Sequence, residues 1–120
     1  MASILAVDDS ASMRQMVSFT LKSAGYDVTE AEDGVVALNI AKTKGFDLVI
    51  TDVNMPNMDG ISLIAELRKL PTFKFTPLLM LTTESASDKK QQGKSAGATG
   101  WIVKPFNPDQ LISVIKRALG

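Results

Sequence analysis

Short apolar runs and longer stretches of helical spacing alternate along this chain. Ser3-Ile-Leu-Ala-Val7 is the first run, and Leu48-Val49-Ile50 and Leu78-Leu-Met-Leu81 are two more. Continuous β-branched and aliphatic runs of this length read as strands covered on both faces. Thr99 to Val103, carrying Trp101, reads as another strand, and Tyr26 to Ala31 alternates as an edge strand does.

Between the runs the apolar period is that of a helix. Met13, Met16, Val17, Thr20, Leu21 and Ala24 share one face, with Ser10 or Ser12 as cap and Gly25 as stop. Asp33-Gly34 turns into a helix carrying Ala37, Leu38 and Ala41, closed by Gly45. Gly60 to Leu70 places Ile61, Ile64 and Leu67 inward, and Pro71 ends it. Ser85 to Ala96 is mostly polar and is a helix by position only, since Gly93 costs about 1 kcal/mol relative to Ala. Asn107-Pro108 caps a last helix with Leu111, Ile112, Ile115, Ala118 and Leu119 on its apolar face. Strands alternating with helices predict an α/β fold, a doubly wound parallel sheet with right-handed crossovers. No linker or repeat interrupts the pattern. The expectation is one domain over 1–120 with no attached output domain.

Composition narrows the chemistry. The 120 residues suit one domain with a sizeable core. Thirteen basic side chains balance thirteen acidic ones, so no global field favours nucleic acid or an anionic membrane. Cysteine and histidine are both absent. That excludes disulfides, thiolate catalysis, Cys-zinc sites and any Ser-His-Asp triad. Carboxylates, hydroxyls, lysine and backbone remain, with an oxygen-seeking metal. No apolar stretch is long enough to span a bilayer, and Met1-Ala-Ser leads into a strand without a signal-peptide pattern. The expected location is cytoplasmic.

The polar residues that end the runs carry the functional information. One strand ends in Asp8-Asp9, another in Asp52, another in Thr82 and another in Lys104. In a parallel sheet these ends share one edge, where ligands collect. If the first and third strands are neighbours, three carboxylates crowd into one cleft. Like charges so close raise each other's pKa unless a cation sits among them, and magnesium suits an all-oxygen set. An ionised Asp52 beside such an ion is a competent nucleophile toward phosphorus. Lys104 offers an ammonium and Thr82 a hydroxyl for phosphoryl oxygens. Lys104-Pro105 is an X-Pro bond, for which a cis peptide is accessible.

Val7-Asp8-Asp9-Ser10, Thr51-Asp52-Val-Asn-Met-Pro56, Met58-Asp59-Gly60, Leu81-Thr82 and Val103-Lys104-Pro105-Phe106 together resemble the motif set of response-regulator receiver domains. The resemblance covers nearly the whole chain, in order. It implies a flavodoxin-like five-stranded sheet of order 2-1-3-4-5, with Asp52 as phosphoacceptor. It also implies magnesium held by Asp9, Asp52 and the main-chain carbonyl of Asn54, with Asp8 assisting through water. Asn54, and Glu84 two residues after Thr82, resemble the positions that tune dephosphorylation. The chain is most similar to the stand-alone chemotaxis regulators of that family. This implies a histidine kinase as donor, the flagellar motor switch protein as target, a phosphatase, and a monomer that is not a turnover enzyme. Trp101 stands where those regulators usually carry a tyrosine that moves inward together with the threonine. Indole is larger than phenol and offers a donor but no acceptor.

Other readings fit less well. A hydrolase of the haloacid-dehalogenase type wants a second aspartate two residues after the nucleophile, and Asn54 is no general acid. A flavin or nucleotide binder on the same sheet wants a Ser/Thr/Gly-rich phosphate loop after the first strand, where Asp8-Asp9 would repel phosphate. A degenerate receiver serving only as an interaction module would bind no metal, whereas the acidic set is intact. A lone receiver in a phosphorelay is the nearest alternative pathway. Lys89, Lys90 and Lys94 read as a solvated face, and Met13, Met16 and Met80 as core. The polar 85–96 helix, the Trp101 strand and the last helix form the expected signalling face, since thinly anchored elements are the ones that move.

Overall fold

The computed structural model describes residues 2–83 and 87–120. Among them five strands and five α-helices alternate: β1 Ser3–Val7, α1 Ala11–Ser23, β2 Asp27–Ala31, α2 Gly34–Ala41, β3 Leu48–Asp52, α3 Gly60–Arg68, β4 Leu78–Thr83, α4 Ser87–Ala96, β5 Gly100–Lys104 and α5 Pro108–Leu119. Every strand pair is parallel, and the sheet order is β2-β1-β3-β4-β5. β3 is central and buried at all five positions, as its uninterrupted apolar run requires. The alternating β2 is an edge strand.

Two apolar layers cover the sheet. Val49, Leu63, Ile64, Leu67, Phe73 and Met80 belong to one cluster. Ile4, Leu21, Ile50, Leu81, Leu111 and Ile115 belong to the other. Alternate residues of each strand supply opposite layers, which is the period-two consequence of the pleat.

Helix ends follow local chemistry. Ser10 caps α1 by accepting from the Met13 amide, and Asn107 caps α5 by accepting from Asp109 and Gln110. Gly25, just past α1, takes φ +95°, a region that suits glycine. Asp33 caps α2: its Oδ1 accepts from Val36 N at 2.9 Å, and its Oδ2 accepts from Asn57 Nδ2 at 2.9 Å.

Several boundaries differ from the sequence reading. α3 stops at Arg68 rather than Leu70. Leu70 precedes proline and is pushed into extended backbone, ψ 124°, before a 3-10 turn at Pro71–Phe73. α2 ends at Ala41, well short of Gly45, because Lys42, Thr43 and Lys44 turn their amides back onto Leu38 and Ile40 carbonyls. Met16 is 53% exposed and is not core; Val17 and Leu21 fill that face of α1, and Met13 only flanks it. Leu63 is fully buried whereas Ile61 is only partly so. Gly93, read as a helix-weakening residue, is buried against the Met80 thioether, which occupies the space of a side chain. Ser85 lies outside the described residues, and α4 is defined from Ser87.

At the sheet's lower edge, Arg68 donates to the carbonyls of Phe73 and Thr76 at 2.7 Å each and of Gly97 at 2.9 Å. Desolvation lowers its pKa from the usual arginine value. One guanidinium thus joins α3, the segment before β4 and the end of α4.

The Val36 amide, and after it the Asn57 amide, hold the Asp33 carboxyl below the ordinary aspartate range. A depressed folded pKa contributes stability above the unfolded pKa, and that contribution is lost as pH falls through the folded one. In urea titrations, the stability advantage of wild type over Asp33→Asn is expected to be constant above about pH 5 and to shrink as the pH falls from there through the lowered folded pKa. A difference that stays constant over that fall would place the stabilisation elsewhere.

Candidate functional site

The register of the sheet assembles the site. Val7 pairs with Thr51, so Asp8 and Asp52 are the next residues along neighbouring strands. The condition that the first and third strands adjoin is met. Asp52 is level with Leu81, and Lys104 is level with Thr83, so Lys104 crosses the end of β4 to reach Asp52.

Asp52 is buried at the last position of β3. Its Oδ1 accepts from its neighbour's amide, Val53 N, at 2.9 Å and from Lys104 Nζ at 2.7 Å. The same ammonium lies 3.7 Å from Asp8 Oδ2. Asp8 is 2% exposed, and its Oδ1 accepts from Ser10 N at 2.9 Å. Arg14 donates to the Asp8 carbonyl at 2.8 Å and pairs with Glu30 at 3.2 Å, which fixes the start of the loop. Asp9 is exposed at the rim. The peptide Lys104-Pro105 is cis.

Asp8, Asp9 and Asp52 each present a carboxylate oxygen within 4.8 Å of the others. Among the described residues, Asp8 Oδ2 is buried without a hydrogen-bond partner. Burial is the main cause that raises the Asp8 pKa, with the Asp52 charge adding to it and the Ser10 amide opposing it. Three hard oxygen donors, one of them orphaned, fit a divalent cation of the magnesium type. An orphaned buried acceptor is costly, and an ion in the notch would relieve it.

The remaining sequence-chosen residues fall as follows. Thr82 is buried at the end of β4, beside the strand that carries Lys104. Asn54 is exposed, two residues past Asp52. Trp101 lies near the start of β5, three positions before Lys104, and is 43% exposed. Lys90 Nζ from α4 stands 5.6 Å from its ring centroid, so this lysine is more than a solvated face. Glu84 lies outside the described residues.

Sequence reasoning missed the residues that shape the surrounding loops. Gly60 was part of a motif, but the need for glycine is tertiary: a side chain there would strike the Asp52 carbonyl and Val53. Asp33-Gly34 read only as a turn, although Asp33 holds Asn57 across 24 positions. No local pattern marks Asn57, which adopts φ +69°.

Asp8→Asn keeps the acceptor for Ser10 and removes a buried charge. In metal-free solution this variant is expected to be more stable than wild type by about 1 kcal/mol by urea denaturation. A loss of stability would mean that the carboxylate is adequately compensated by Lys104.

Comparisons with known proteins agree with this geometry. The model of the response regulator receiver domain family matches residues 4–116. The chain is 43% identical over 104 residues to the chemotaxis protein CheY-3 of Vibrio cholerae, covering 86% of this chain and 80% of that protein. Its fold superposes on the high-resolution structure of the chemotaxis response regulator CheY4 of Vibrio cholerae with a TM-score of 0.93 and 55% identity, over 98% of each chain. A receiver domain of a sensor histidine kinase from Pseudomonas aeruginosa, described with magnesium coordinated in its active-site cleft, superposes with a TM-score of 0.93 at 28% identity, over 99% of this chain and 98% of that one. An acidic notch on a 2-1-3-4-5 sheet, opposed by one lysine, is thus found here on a chain that belongs to the response regulator receiver domain family, among its CheY-like members.

Proposed function

We propose that this receiver is a phosphorylation-activated switch in which Asp52 accepts a phosphoryl group from a histidine kinase. The observation that carries this reading is the 2.7 Å contact between Lys104 Nζ and Asp52 Oδ1, inside a cluster of three carboxylates. Asp52 Oδ attacks phosphorus as the bond from phosphorus to the donor's imidazole nitrogen breaks, leaving an acyl phosphate and a free imidazole. Asp9, Asp52 and the Asn54 carbonyl would hold magnesium, with Asp8 acting through water. When bound, the ion neutralises charge on the transferring group. Lys104 is already in contact with Asp52 and would pass to a phosphoryl oxygen, and the Thr82 hydroxyl would donate to another. Burial of Asp52 and Thr82 limits water around the acceptor.

The consequence is a changed surface. Lys104 and Trp101 share β5, and Lys90 of α4 rests over Trp101. Withdrawing Lys104 from Asp52 therefore bears on the strand that α4 contacts. α4 buries only Gly93, so little apolar packing opposes its rearrangement. We propose α4, β5 and α5 as the signalling face, with Thr82 and Trp101 as the switch pair, and Asn54 and Glu84 as residues that set the acyl-phosphate lifetime. In this reading the 1–120 unit is a single receiver domain that signals by its own surface as a cytoplasmic monomer. Its similarity to chemotaxis regulators over most of their length supports the flagellar motor switch as target, with a phosphatase closing the cycle. No helix among the described residues is long and apolar enough to cross a membrane.

Incubation with acetyl phosphate and magnesium is expected to add one phosphoryl group to the wild type and none to Asp52→Asn, read by intact mass. Equal labelling of both proteins would move the acceptor to another residue. Lys104→Ala should still be labelled, but beryllofluoride should no longer alter hydrogen exchange across 87–104 as it does in wild type. A wild-type-like exchange response in this variant would remove Lys104 from the coupling.

A further inference from the structure

We propose that the hydrogen bond from Asn57 to Asp33 is a latch that holds the β3–α3 loop in its metal-receiving shape, which makes Asn57 a positioning residue for the divalent ion. The inference rests on the magnesium role proposed above and adds a determinant outside the acidic cluster.

The loop of residues 53–59 is pinned at its C-terminal end. Gly60 N donates to the Val53 carbonyl at 2.9 Å, and Asp59 caps α3 by accepting from Ser62 N at 2.7 Å. Its middle is held differently. Among the described residues, the segment 54–57 makes one side-chain hydrogen bond to another element, Asn57 Nδ2 to Asp33 Oδ2 at 2.9 Å. Asn57 reaches that partner from a left-handed backbone, φ +69°, which asparagine tolerates better than most residues.

The acceptor is rigid. Asp33 is 7% exposed, and its other oxygen is committed to Val36 N in the cap of α2. It therefore cannot rotate to follow a wandering loop. The charge on the carboxylate strengthens the bond. The first turn of α2 also lies against the loop: a side chain at Gly34 would strike the Met58 backbone. The latch thus joins the loop to a helix start, not to another mobile segment.

Such a latch matters because the loop's proposed ligand is a main-chain carbonyl. A carboxylate can adjust through its side-chain torsions; a carbonyl goes where the backbone goes. Without the latch, the ion would have to order residues 54–57 at the expense of its own affinity. The acidic residues would still attract the ion, so binding would weaken without being abolished.

The test is magnesium titration calorimetry on the whole chain. Asn57→Gly keeps the left-handed backbone and removes the amide. Asp33→Ser keeps a helix cap but lacks the second oxygen. Each should weaken magnesium by about five-fold, and the double variant by no more than either alone. The exchange Asp33→Asn with Asn57→Asp rebuilds the bond in reverse and should restore affinity to within about two-fold of wild type. Asn57→Asp alone sets two carboxylates against each other and should not restore it. The proposal is overturned if the single variants bind as wild type does, even with a lowered melting temperature. It is also overturned if their losses add, or if Asn57→Asp alone binds as tightly as the exchange, since charge rather than the bond would then set affinity. Wild type that binds no magnesium would overturn the metal reading and the latch together. Wild-type binding that Asp52→Asn destroys and the latch variants leave intact would sink the latch alone.

Discussion

One ammonium held between two buried carboxylates is the constraint on which the working edge of this sheet depends. Lys104 Nζ is 2.7 Å from Asp52 and 3.7 Å from Asp8, and both aspartates are nearly excluded from water. The single cation does not balance the cluster. Asp9 adds a third carboxylate, and Asp8 Oδ2 is left without a hydrogen bond. Burial raises the Asp8 pKa because the charged form is poorly accommodated. Three hard oxygen donors with one acceptor unmet fit a divalent ion of the magnesium type.

The two edges of the sheet are built for opposite purposes. At the lower edge Arg68 satisfies carbonyls from three segments with one guanidinium, and Thr99 Oγ1 accepts from the Leu78 amide at 3.0 Å. That network is well paired and closes the ends of α3 and α4 against the sheet. At the upper edge, three carboxylates crowd together with one ammonium between two of them, and one acceptor is unmet. Polar groups are paired at one edge and crowded at the other. α4 connects them: Gly97, just past its end, is tied to Arg68, while its body meets the sheet with Gly93 against Met80 and Lys90 over Trp101. A helix fixed at one end and thinly packed along its length is suited to respond to a change at Lys104.

Glycine serves one purpose at two positions near the site. Gly60 lets α3 begin directly on the Asp52 carbonyl, and Gly34 lets α2 begin directly on the Met58 backbone. Both allow a helix start to approach the β3–α3 loop more closely than any side chain would permit. The loop is thereby confined between two helix starts before any side-chain bond is counted.

The sequence by itself determined the order of elements, the class of sheet and the chemistry of its edge. Uninterrupted apolar runs needed cover on both faces, and each run ended in Asp8-Asp9, Asp52, Thr82 or Lys104, which forces these residues to one rim of a parallel sheet. What local pattern could not carry was anything settled by contacts distant along the chain. Met16 has helical spacing yet is exposed, because Val17 and Leu21 already fill that side of α1. Gly93 looked like a weakness in a helix and is instead a seat for Met80. Asp33 looked like a turn residue and is also the partner of Asn57, 24 positions away. Spacing along a chain reports which face a side chain leaves by; only the packed structure decides what it meets there.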